Sequence, residues 1–497
     1  MSERGPAMGW TEWLRHDATA LAALVRSGQL TASEVVAQSA AGLARVDDRL
    51  EGVLELFHDV VVDPHRDRPD CDGALYGVPV FLKDLGSRLA GRLQESGSRL
   101  LKGNLAKETD PLVANFLRAG LIPLGRSTCP EFGMTFDTAT AYLGRVKVSR
   151  NPWNPERTPG GSSGGSAALV AAGVTPISMA SDGGGSTRIP ASYCGLVGLK
   201  ASRGRVAPPL AHSEYTWRIA VEGVVTCSVR DSAAALDQLW RKPPGGTFYP
   251  MAPPDGSYVE ALARPRGRLR IALSTGDWGR NGACDPEVAE RVRAVARALE
   301  GLGHDVEEID DRRLLDWGAM WRGYLTQWIA GRTLYAPIAE LGGTPAESLQ
   351  SVLSPMVWRH FEAAQRYSTL DLPQAMACNN VVTRGFGRFM AGWDALLCPT
   401  HAIRVPTANG PYSLLNDEPL APWLDRVADA CRYPMPGNEC GAPGISIPAG
   451  LDSDGLPVGA MLYGDYGRED VLLNLAAQLE SAEPQWFSQI PPINVDA

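Results

Sequence analysis

The sequence lacks the marks of several protein classes. Its nine cysteines are odd in number, widely spaced and without a Cys-x-x-Cys pair, which argues against a zinc ribbon or a disulfide scaffold and favours reduced thiols. Lys and Arg are scattered over a chain of net charge −9, so no basic face for a nucleic acid is expected. The most apolar run, residues 167–180, is short and interrupted, and the N-terminus has no apolar core of the signal-peptide type. We therefore expect a cytoplasmic protein without a nucleic-acid or membrane partner.

Histidine is also scarce, and the chain contains only seven histidines. None stands in a pattern typical of catalysis, and no cluster of His, Cys, Asp and Glu has metal-ligand spacing. The sequence therefore implies neither a metal nor an organic cofactor.

The composition, and the alternation of strand-like and helix-like patterns along the chain, are typical of a globular α/β protein. The 497 residues are 44% hydrophobic and 21% charged, enough for a sizeable core. "DATALAALVRSG" predicts a helix that stops at Gly28, and the capping box formed by Thr31 and Glu34 predicts a second helix to about Leu43. From residue 76 to 206 short apolar runs alternate with helical patterns, and the same alternation occurs in residues 268–310 and near the C-terminus. Residues 311–395 look mainly helical.

The stretch "TPGGSSGGSAALV", residues 158–170, has three simple interpretations. A flexible linker is disfavoured, because a helix-forming apolar run follows directly and a second glycine cluster, "SDGGGSTRIP", comes soon after. A phosphate-binding loop would need a lysine that is missing. A nucleophile elbow, G-x-S-x-G, would make Ser163 the nucleophile, but the preceding segment is a proline-broken loop and no later histidine stands in a catalytic context.

A fourth interpretation joins both glycine clusters and one lysine into a single site. Ser162 lies in the first cluster, Ser186 follows the second, and Lys83 stands in the otherwise apolar run "GVPVFLKDLG". Burial would lower the pKa of such a lysine and leave a neutral amine able to take a proton. For a lone lysine the simpler alternative is a position at the strand's end from which the side chain reaches solvent.

Longer motifs carry a resemblance that decides between these interpretations. They include "GVPVFLKDL", "GRSTCPEFG", "RNPWNPERTPGGSSGGSAALVAAGV", "SDGGGSTRIPASYCGLVGLKASRGRV", "EGVVTCSVRD", "WDALLCPT" and "GAPGISIPAGLDSDGLPVGAML". Together they resemble the amidase signature family of serine hydrolases over nearly the whole chain. The resemblance implies an α/β fold in one large domain, with a central mixed β-sheet flanked by α-helices. It also implies that Ser186 is the nucleophile, that a cis peptide precedes Ser162, and that Lys83 is the terminal base.

The implied relay is chemically consistent, because two serines and a lysine can remove a hydroxyl proton without histidine. Four backbone amides are expected to bind the oxyanion of a tetrahedral intermediate: Gly183, Gly184, Gly185 and Ser186. Three residues are expected to support this loop through hydrogen bonds: Ser163, Asp182 and Arg188. The sequence departs from the family at "SDGGGS", where a non-glycine residue often precedes the last two glycines, and the extra glycine is expected to loosen the loop slightly.

The family resemblance defines the reaction better than the substrate, because this fold serves acyl amides, anilides, carbamates, cyclic amides and a tRNA-linked amidotransfer. "PASYCGLVGLKASRGRV" resembles the branch of the 6-aminohexanoate cyclic dimer hydrolase-like amidases. The expected function is hydrolysis of a small-molecule amide or carbamate. The alternative is the glutaminase subunit of a tRNA-dependent amidotransferase, which would need a partner chain. A non-catalytic binder is disfavoured, because Lys83, Ser162 and Ser186 are all present.

The expected organisation is a single amidase domain over residues 1–497. Its parts are N-terminal helices (15–75), a signature core with the catalytic residues (76–240), a variable helical region of the substrate pocket (311–395) and the C-terminal part of the α/β core (396–480). A homodimer is compatible with the sequence. The predicted substrate contacts are Met134, Thr135, Phe136, Tyr142, Trp317, Trp321, Trp328 and Asn438.

Overall fold

Eleven of the thirteen strands in the described residues form one large sheet. The computed structural model describes residues 7–141, 144–210, 219–240, 251–252, 255–330 and 346–494. The strands are β1 (Val53–Leu56), β2 (Pro79–Lys83), β3 (Ile122–Ser127), β4 (Ala139–Thr140), β5 (Lys147–Val148), β6 (Ile177–Asp182), β7 (Val197–Lys200), β8 (Val221–Thr226), β9 (Arg270–Leu273), β10 (Asp305–Glu308), β11 (Ala395–Pro399), β12 (Gly444–Leu451) and β13 (Pro457–Tyr463).

Within the described residues, eleven strands form a mixed sheet in the order β1-β3-β2-β6-β8-β7-β12-β13-β11-β9-β10, and β4 pairs with β5 apart from it. Helices of the described residues flank this sheet. They are α1 (Trp10–Trp13), α2 (Ala18–Arg26), α3 (Ala32–Leu50), α4 (His58–Val62), α5 (Pro111–Arg118), α6 (Gly164–Ala171), α7 (Arg188–Cys194), α8 (Val229–Leu239), α9 (Tyr258–Ala263), α10 (Pro286–Gly301), α11 (Trp317–Ala330), α12 (Ala346–Val352), α13 (Pro355–Ala364), α14 (Asp371–Met390), α15 (Leu420–Ala430), α16 (Met435–Cys440), α17 (Glu469–Ala482) and α18 (Pro484–Phe487).

The mixed α/β fold predicted from the sequence is confirmed, and the second helix begins at the predicted capping box. Asp17 caps α2 through the amide of Ala20, and α3 begins with the capping box of Thr31 and Glu34 and continues to Leu50, beyond the predicted end. The described residues of the variable region are mainly helical, as predicted, from α11 to α14.

Three parallel strands bring their carboxyl ends to one edge of the sheet. β2 pairs in parallel with both β3 and β6, and every residue of these three strands is buried. Parallel strands covered on both faces read as apolar runs, and β2, "PVFLK", has Lys83 as its only polar residue. In β6, "ISMASD", three of the six buried residues are polar: Ser178, Ser181 and Asp182. Lys83, Ser127 and Asp182 are the last residues of the three strands. Ligands of open α/β sheets bind beyond such carboxyl ends.

All nine cysteines are free thiols, and only Cys71 among them is exposed. Cys71 lies in the loop that precedes β2, at the amino end of that strand and therefore away from the edge formed by Lys83, Ser127 and Asp182. No helix in the described part of the chain is both long enough and apolar enough to cross a bilayer.

Candidate active site

Lys83 is fully buried at the carboxyl end of β2. Its Nζ donates to the Ser162 Oγ at 2.7 Å and to the Ser181 Oγ at 2.8 Å. Two serine hydroxyls therefore solvate an amine that water does not reach, and the interpretation of Lys83 as a strand-end lysine in solvent is wrong. Ser181 was not predicted, although a serine within the apolar run of β6 was a usable signal.

The part of the first glycine cluster that precedes α6, residues 158–163, is hereafter called the serine loop. The peptide bond between Gly161 and Ser162 is cis, as the resemblance implies. Ser162 is buried, and Gly133 approaches it so closely that a Cβ at Gly133 would lie 2.9 Å from the Ser162 Oγ. The loop leads directly into α6, which is apolar and buried through residue 170, so it is part of the core and not a linker.

Ser163 has a different environment from Ser162. Its Oγ accepts from the Ser181 amide at 3.2 Å and donates to the Ser181 carbonyl at 3.4 Å, while its own amide donates to the Ser186 carbonyl at 3.3 Å. The hydroxyl is completely buried and held by the backbone of β6. A nucleophile elbow needs an exposed hydroxyl beside a histidine, so the elbow interpretation of Ser163 is wrong.

The second glycine cluster, residues 183–187, is hereafter called the glycine loop, and a buried ion pair holds it. Arg188 donates to Asp182 through Nε at 2.9 Å and Nη2 at 2.8 Å, and both side chains are fully buried. Burial alone would raise the pKa of the Asp182 carboxyl, but the charge and hydrogen bonds of Arg188 outweigh it and hold that pKa far below its usual range. Arg188 also donates through Nη1 to the Tyr463 Oη at 2.9 Å. The loop is thus tied to β13.

The backbone amides of the glycine loop divide into two groups. The Gly185 amide donates to the Asp182 Oδ1 at 2.7 Å, and the Thr187 amide donates to Oδ2 at 3.2 Å. The amides of Gly183, Gly184 and Ser186 have no hydrogen-bond partner among the described residues. Of the four amides predicted to bind an oxyanion, that of Gly185 is already engaged, because it donates to Asp182.

Asn438 lies against the same loop, but not as a substrate contact. Its Nδ2 donates to the Asp182 carbonyl at 2.8 Å and to the Ile219 carbonyl at 2.9 Å, and its Oδ1 accepts from Arg188 at 2.7 Å. Both ends of the amide are engaged by protein groups. The prediction that Asn438 lines the substrate pocket is therefore wrong, and the residue belongs to the support of the loop.

The other predicted substrate contacts separate into three sets. Trp328 on α11 lies beside the glycine loop, where a Cβ at Gly184 would be 3.4 Å from its ring. Trp317 stacks on Trp278 at 5.4 Å and Trp321 donates to the Trp278 carbonyl, so both pack in an aromatic cluster around Trp278. The remaining described residues, Met134, Thr135 and Phe136, are buried and precede the serine loop in the chain. The Thr135 hydroxyl donates to the Tyr412 carbonyl, and the Phe136 ring packs on His401. Tyr142 lies outside the described residues.

Comparisons with known proteins agree with this fold. The Amidase family model matches residues 34–473. The 6-aminohexanoate-cyclic-dimer hydrolase of Paenarthrobacter ureafaciens is 34% identical over 97% of this chain and 97% of its own. A glutamyl-tRNA(Gln) amidotransferase subunit from Synechococcus is 31% identical over 92% of this chain and 95% of its own. A solved 6-aminohexanoate cyclic dimer hydrolase complexed with substrate has a TM-score of 0.87 at 31% identity, covering 97% and 99% of the two chains.

The chain therefore belongs to the amidase family. More particularly, it is an amidase signature hydrolase that acts on carbon–nitrogen bonds, as both the matched family and the substrate-complexed structural relative indicate. The amidotransferase subunit is a more distant relative.

Proposed function

We propose that this hydrolase cleaves the amide bond of a small molecule through an acyl-enzyme on Ser186, with Ser162 and Lys83 as the proton relay. The observation that carries the proposal is the contact of 2.7 Å between the Lys83 amine and the Ser162 hydroxyl, in a buried site beside a loop with three amides that have no partner among the described residues. A serine hydroxyl is a weak nucleophile until a base takes its proton, and a buried amine hydrogen-bonded to a second serine supplies that base.

In the proposed acylation, the Ser186 Oγ attacks the substrate carbonyl carbon while its proton passes to Ser162 and from Ser162 to Lys83. The negative charge that forms on the carbonyl oxygen is bound by the amides of the glycine loop, and each such donor typically contributes about 3 to 4 kcal/mol to the transition state. The ion pair of Asp182 and Arg188 keeps the loop fixed, so this stabilisation requires no rearrangement during the reaction.

In the second half, the tetrahedral intermediate collapses and the carbon–nitrogen bond breaks. The proton held by Lys83 returns through Ser162 to the departing nitrogen, which leaves as an amine. Water then attacks the Ser186 ester with the same relay as base, and release of the acid restores the free hydroxyl. The three polar side chains return to their starting protonation after each turnover.

The proposed substrate class is an uncharged aliphatic amide, cyclic or linear. Two features support it: the relatives named for the 6-aminohexanoate cyclic dimer, and the aromatic side chains of Tyr324 and Trp328 packed against the glycine loop. The hydrolase is proposed to act in the cytoplasm without a nucleic-acid partner. Free, mostly buried cysteines are consistent with a reducing compartment.

Turnover by the purified chain alone tests this proposal. The panel contains a cyclic diamide, a linear aliphatic amide, an aryl anilide, an aryl carbamate and glutamine, with products identified by mass spectrometry. Ser186→Ala should abolish product and acyl-enzyme, because it removes the attacking oxygen. The matched control is Ser446→Ala, which also removes a buried serine hydroxyl. Ser446 lies on β12, and its Oγ is 2.8 Å from the Thr400 Oγ1.

Product from the wild type and Ser446→Ala but not from Ser186→Ala supports the proposal, and the preferred panel member identifies the substrate class. Turnover of glutamine only after addition of an amidotransferase partner would instead favour the glutaminase subunit. Undiminished turnover by Ser186→Ala would contradict the assignment of the nucleophile.

A further inference from the structure

We propose that Tyr324 is a positioning residue for the glycine loop, because its hydroxyl holds the Gly183 carbonyl and so directs the Gly184 amide toward the position of the oxyanion. Tyr324 lies on α11, in the variable helical region, 141 residues along the chain from its partner. The inference rests on the proposed function, since it concerns the same reacting carbonyl.

The contact is direct and buried. The Tyr324 Oη donates to the Gly183 carbonyl oxygen at 2.9 Å, and Tyr324 has no exposed surface. One turn later on α11, the Trp328 ring stacks on the Tyr324 ring with centroids 5.8 Å apart and planes inclined by 26°. The stacked ring restricts the directions in which the phenol can move.

Because a peptide unit is planar, the contact of Tyr324 with the Gly183 carbonyl also fixes the direction of the Gly184 N–H. The Gly183 carbonyl and the Gly184 N–H belong to one planar peptide unit, and in a trans peptide they point in opposite directions. Holding the carbonyl therefore fixes the direction of the N–H. That N–H has no partner among the described residues, so its direction is available for a ligand.

The Tyr324 hydroxyl packs closely against Gly184. A Cβ at Gly184 would lie 2.3 Å from the Tyr324 Oη, but 3.4 Å from the Trp328 ring and 3.6 Å from the Tyr324 Cζ. The last two distances are ordinary van der Waals contacts. The hydroxyl oxygen alone thus excludes a side chain at position 184.

Helix α11 is itself fixed relative to the loop. Gln327 donates through Nε2 to both carboxylate oxygens of Glu439 at 2.9 Å, which ties α11 to α16. The neighbouring residue on α16, Asn438, donates to Asp182 at the start of the loop. The variable region therefore contacts the loop directly through Tyr324 and indirectly through α16.

The first test compares Tyr324→Phe with the wild type on the preferred panel substrate. Without the hydroxyl, kcat should fall about tenfold with KM within about twofold, because the lost orientation matters only once the oxyanion forms. Phenylboronic acid, which forms a tetrahedral adduct with a serine, should bind about tenfold more weakly to Tyr324→Phe. Benzamide, measured in the Ser186→Ala background where its carbonyl stays trigonal, should bind as tightly with the Tyr324→Phe substitution as without it.

The control is Tyr258→Phe, which removes the hydroxyl of another buried tyrosine, 3.5 Å from Glu469 and outside the site. It should change neither kcat nor boronate binding. Equal weakening of boronate and benzamide in Tyr324→Phe would overturn the inference, and so would unchanged kinetics. Labelling by a fluorophosphonate separates this inference from the proposed function: a wild type unlabelled at Ser186 overturns both, and a labelled wild type with unchanged Tyr324→Phe overturns the inference alone.

A second variant pair tests the contact without relying on one substitution. Gly184→Ala should be nearly inactive in the wild-type background, because its methyl group displaces the Tyr324 hydroxyl. In the Tyr324→Phe background the same substitution should cost much less, because the remaining neighbours leave room. Additive losses in the double variant would mean that the two residues act independently and would overturn the inference.

Discussion

At the scale of single residues, the burial of Lys83 determines what a substitution there can do. We predict that Lys83→Met lowers kcat about 10²- to 10⁴-fold, since it removes the base while keeping an unbranched side chain only one atom shorter. The Ser162 and Ser181 hydroxyls lose their donor, which should cost about 1 to 3 kcal/mol of stability. Steady-state kinetics and thermal unfolding measure the two effects separately.

The control for Lys83→Met is Lys107→Met, which removes an amine from an exposed position. It should leave both measurements unchanged. Activity of Lys83→Met within about tenfold of the wild type would rule out Lys83 as the base of the relay.

A second residue, His401, should make stability depend on pH. It is completely buried, with the Tyr193 Oη 2.6 Å from its Nδ1 and the Cys431 Sγ 3.5 Å from its Nε2. Burial lowers the pKa of His401 from 6.5 to about 3. Between pH 6.5 and 3 the His401 imidazole is therefore protonated in the unfolded chain but neutral in the folded chain. The free energy of unfolding consequently decreases as pH falls from about 6.5 toward 3.

This group alone should reduce the free energy of unfolding by up to about 1.4 kcal/mol for each pH unit in that window. The measurement is urea unfolding of the wild type and of His401→Asn, which cannot be protonated, at several pH values from about 7 to 4.5. We predict a steeper decline for the wild type. Parallel declines would show that His401 does not carry the effect.

At the scale of secondary-structure elements, α6 couples the serine loop to the packing of the core. Gly165 lies in its first turn, where a Cβ would be 2.3 Å from the Thr128 Oγ1 and 2.5 Å from the Gly52 carbonyl oxygen. We predict that Gly165→Ala destabilises the protein by about 1 to 3 kcal/mol through overpacking. It should also lower activity, because the displaced helix begins immediately after Ser162 and Ser163.

Gly387→Ala is the matched control for this prediction. Gly387 is also a glycine inside a helix, α14, but a Cβ there would meet nothing within 4 Å. Helix propensity alone should then make the substitution stabilising by about 0.5 to 1 kcal/mol. Thermal unfolding of both variants should give shifts of opposite sign, and shifts of the same sign would contradict the packing argument.

The elements that the sequence predicts well are those with local signals. The Asp17 cap and the capping box of Thr31 and Glu34 act within a few residues, so the beginnings of α2 and α3 could be predicted from short patterns. The end of α3 at Leu50 was missed, because a left-handed residue, Glu51, ends the helix where glycine would be expected.

At the scale of the whole molecule, the site depends on contacts that no local pattern contains. The three side chains of the proposed relay, Lys83, Ser162 and Ser186, could be named because long motifs surround them. The engagement of the Gly185 amide could not, because the three consecutive glycines look alike in sequence and only the contact with the Asp182 side chain distinguishes Gly185. The contact of Tyr324 with Gly183 had no signal either, since it depends on how α11 packs.

The position of Cys71 has a practical consequence for use of the protein as an immobilised catalyst. It is the one exposed thiol among the nine cysteines, and it precedes β2 at the amino end, whereas Lys83 ends the same strand. A maleimide-bearing resin should therefore capture native protein mainly through Cys71, because the other eight thiols are buried or only partly exposed. Protein bound through Cys71 would present the carboxyl edge of its sheet, where Lys83 lies, to the passing solution.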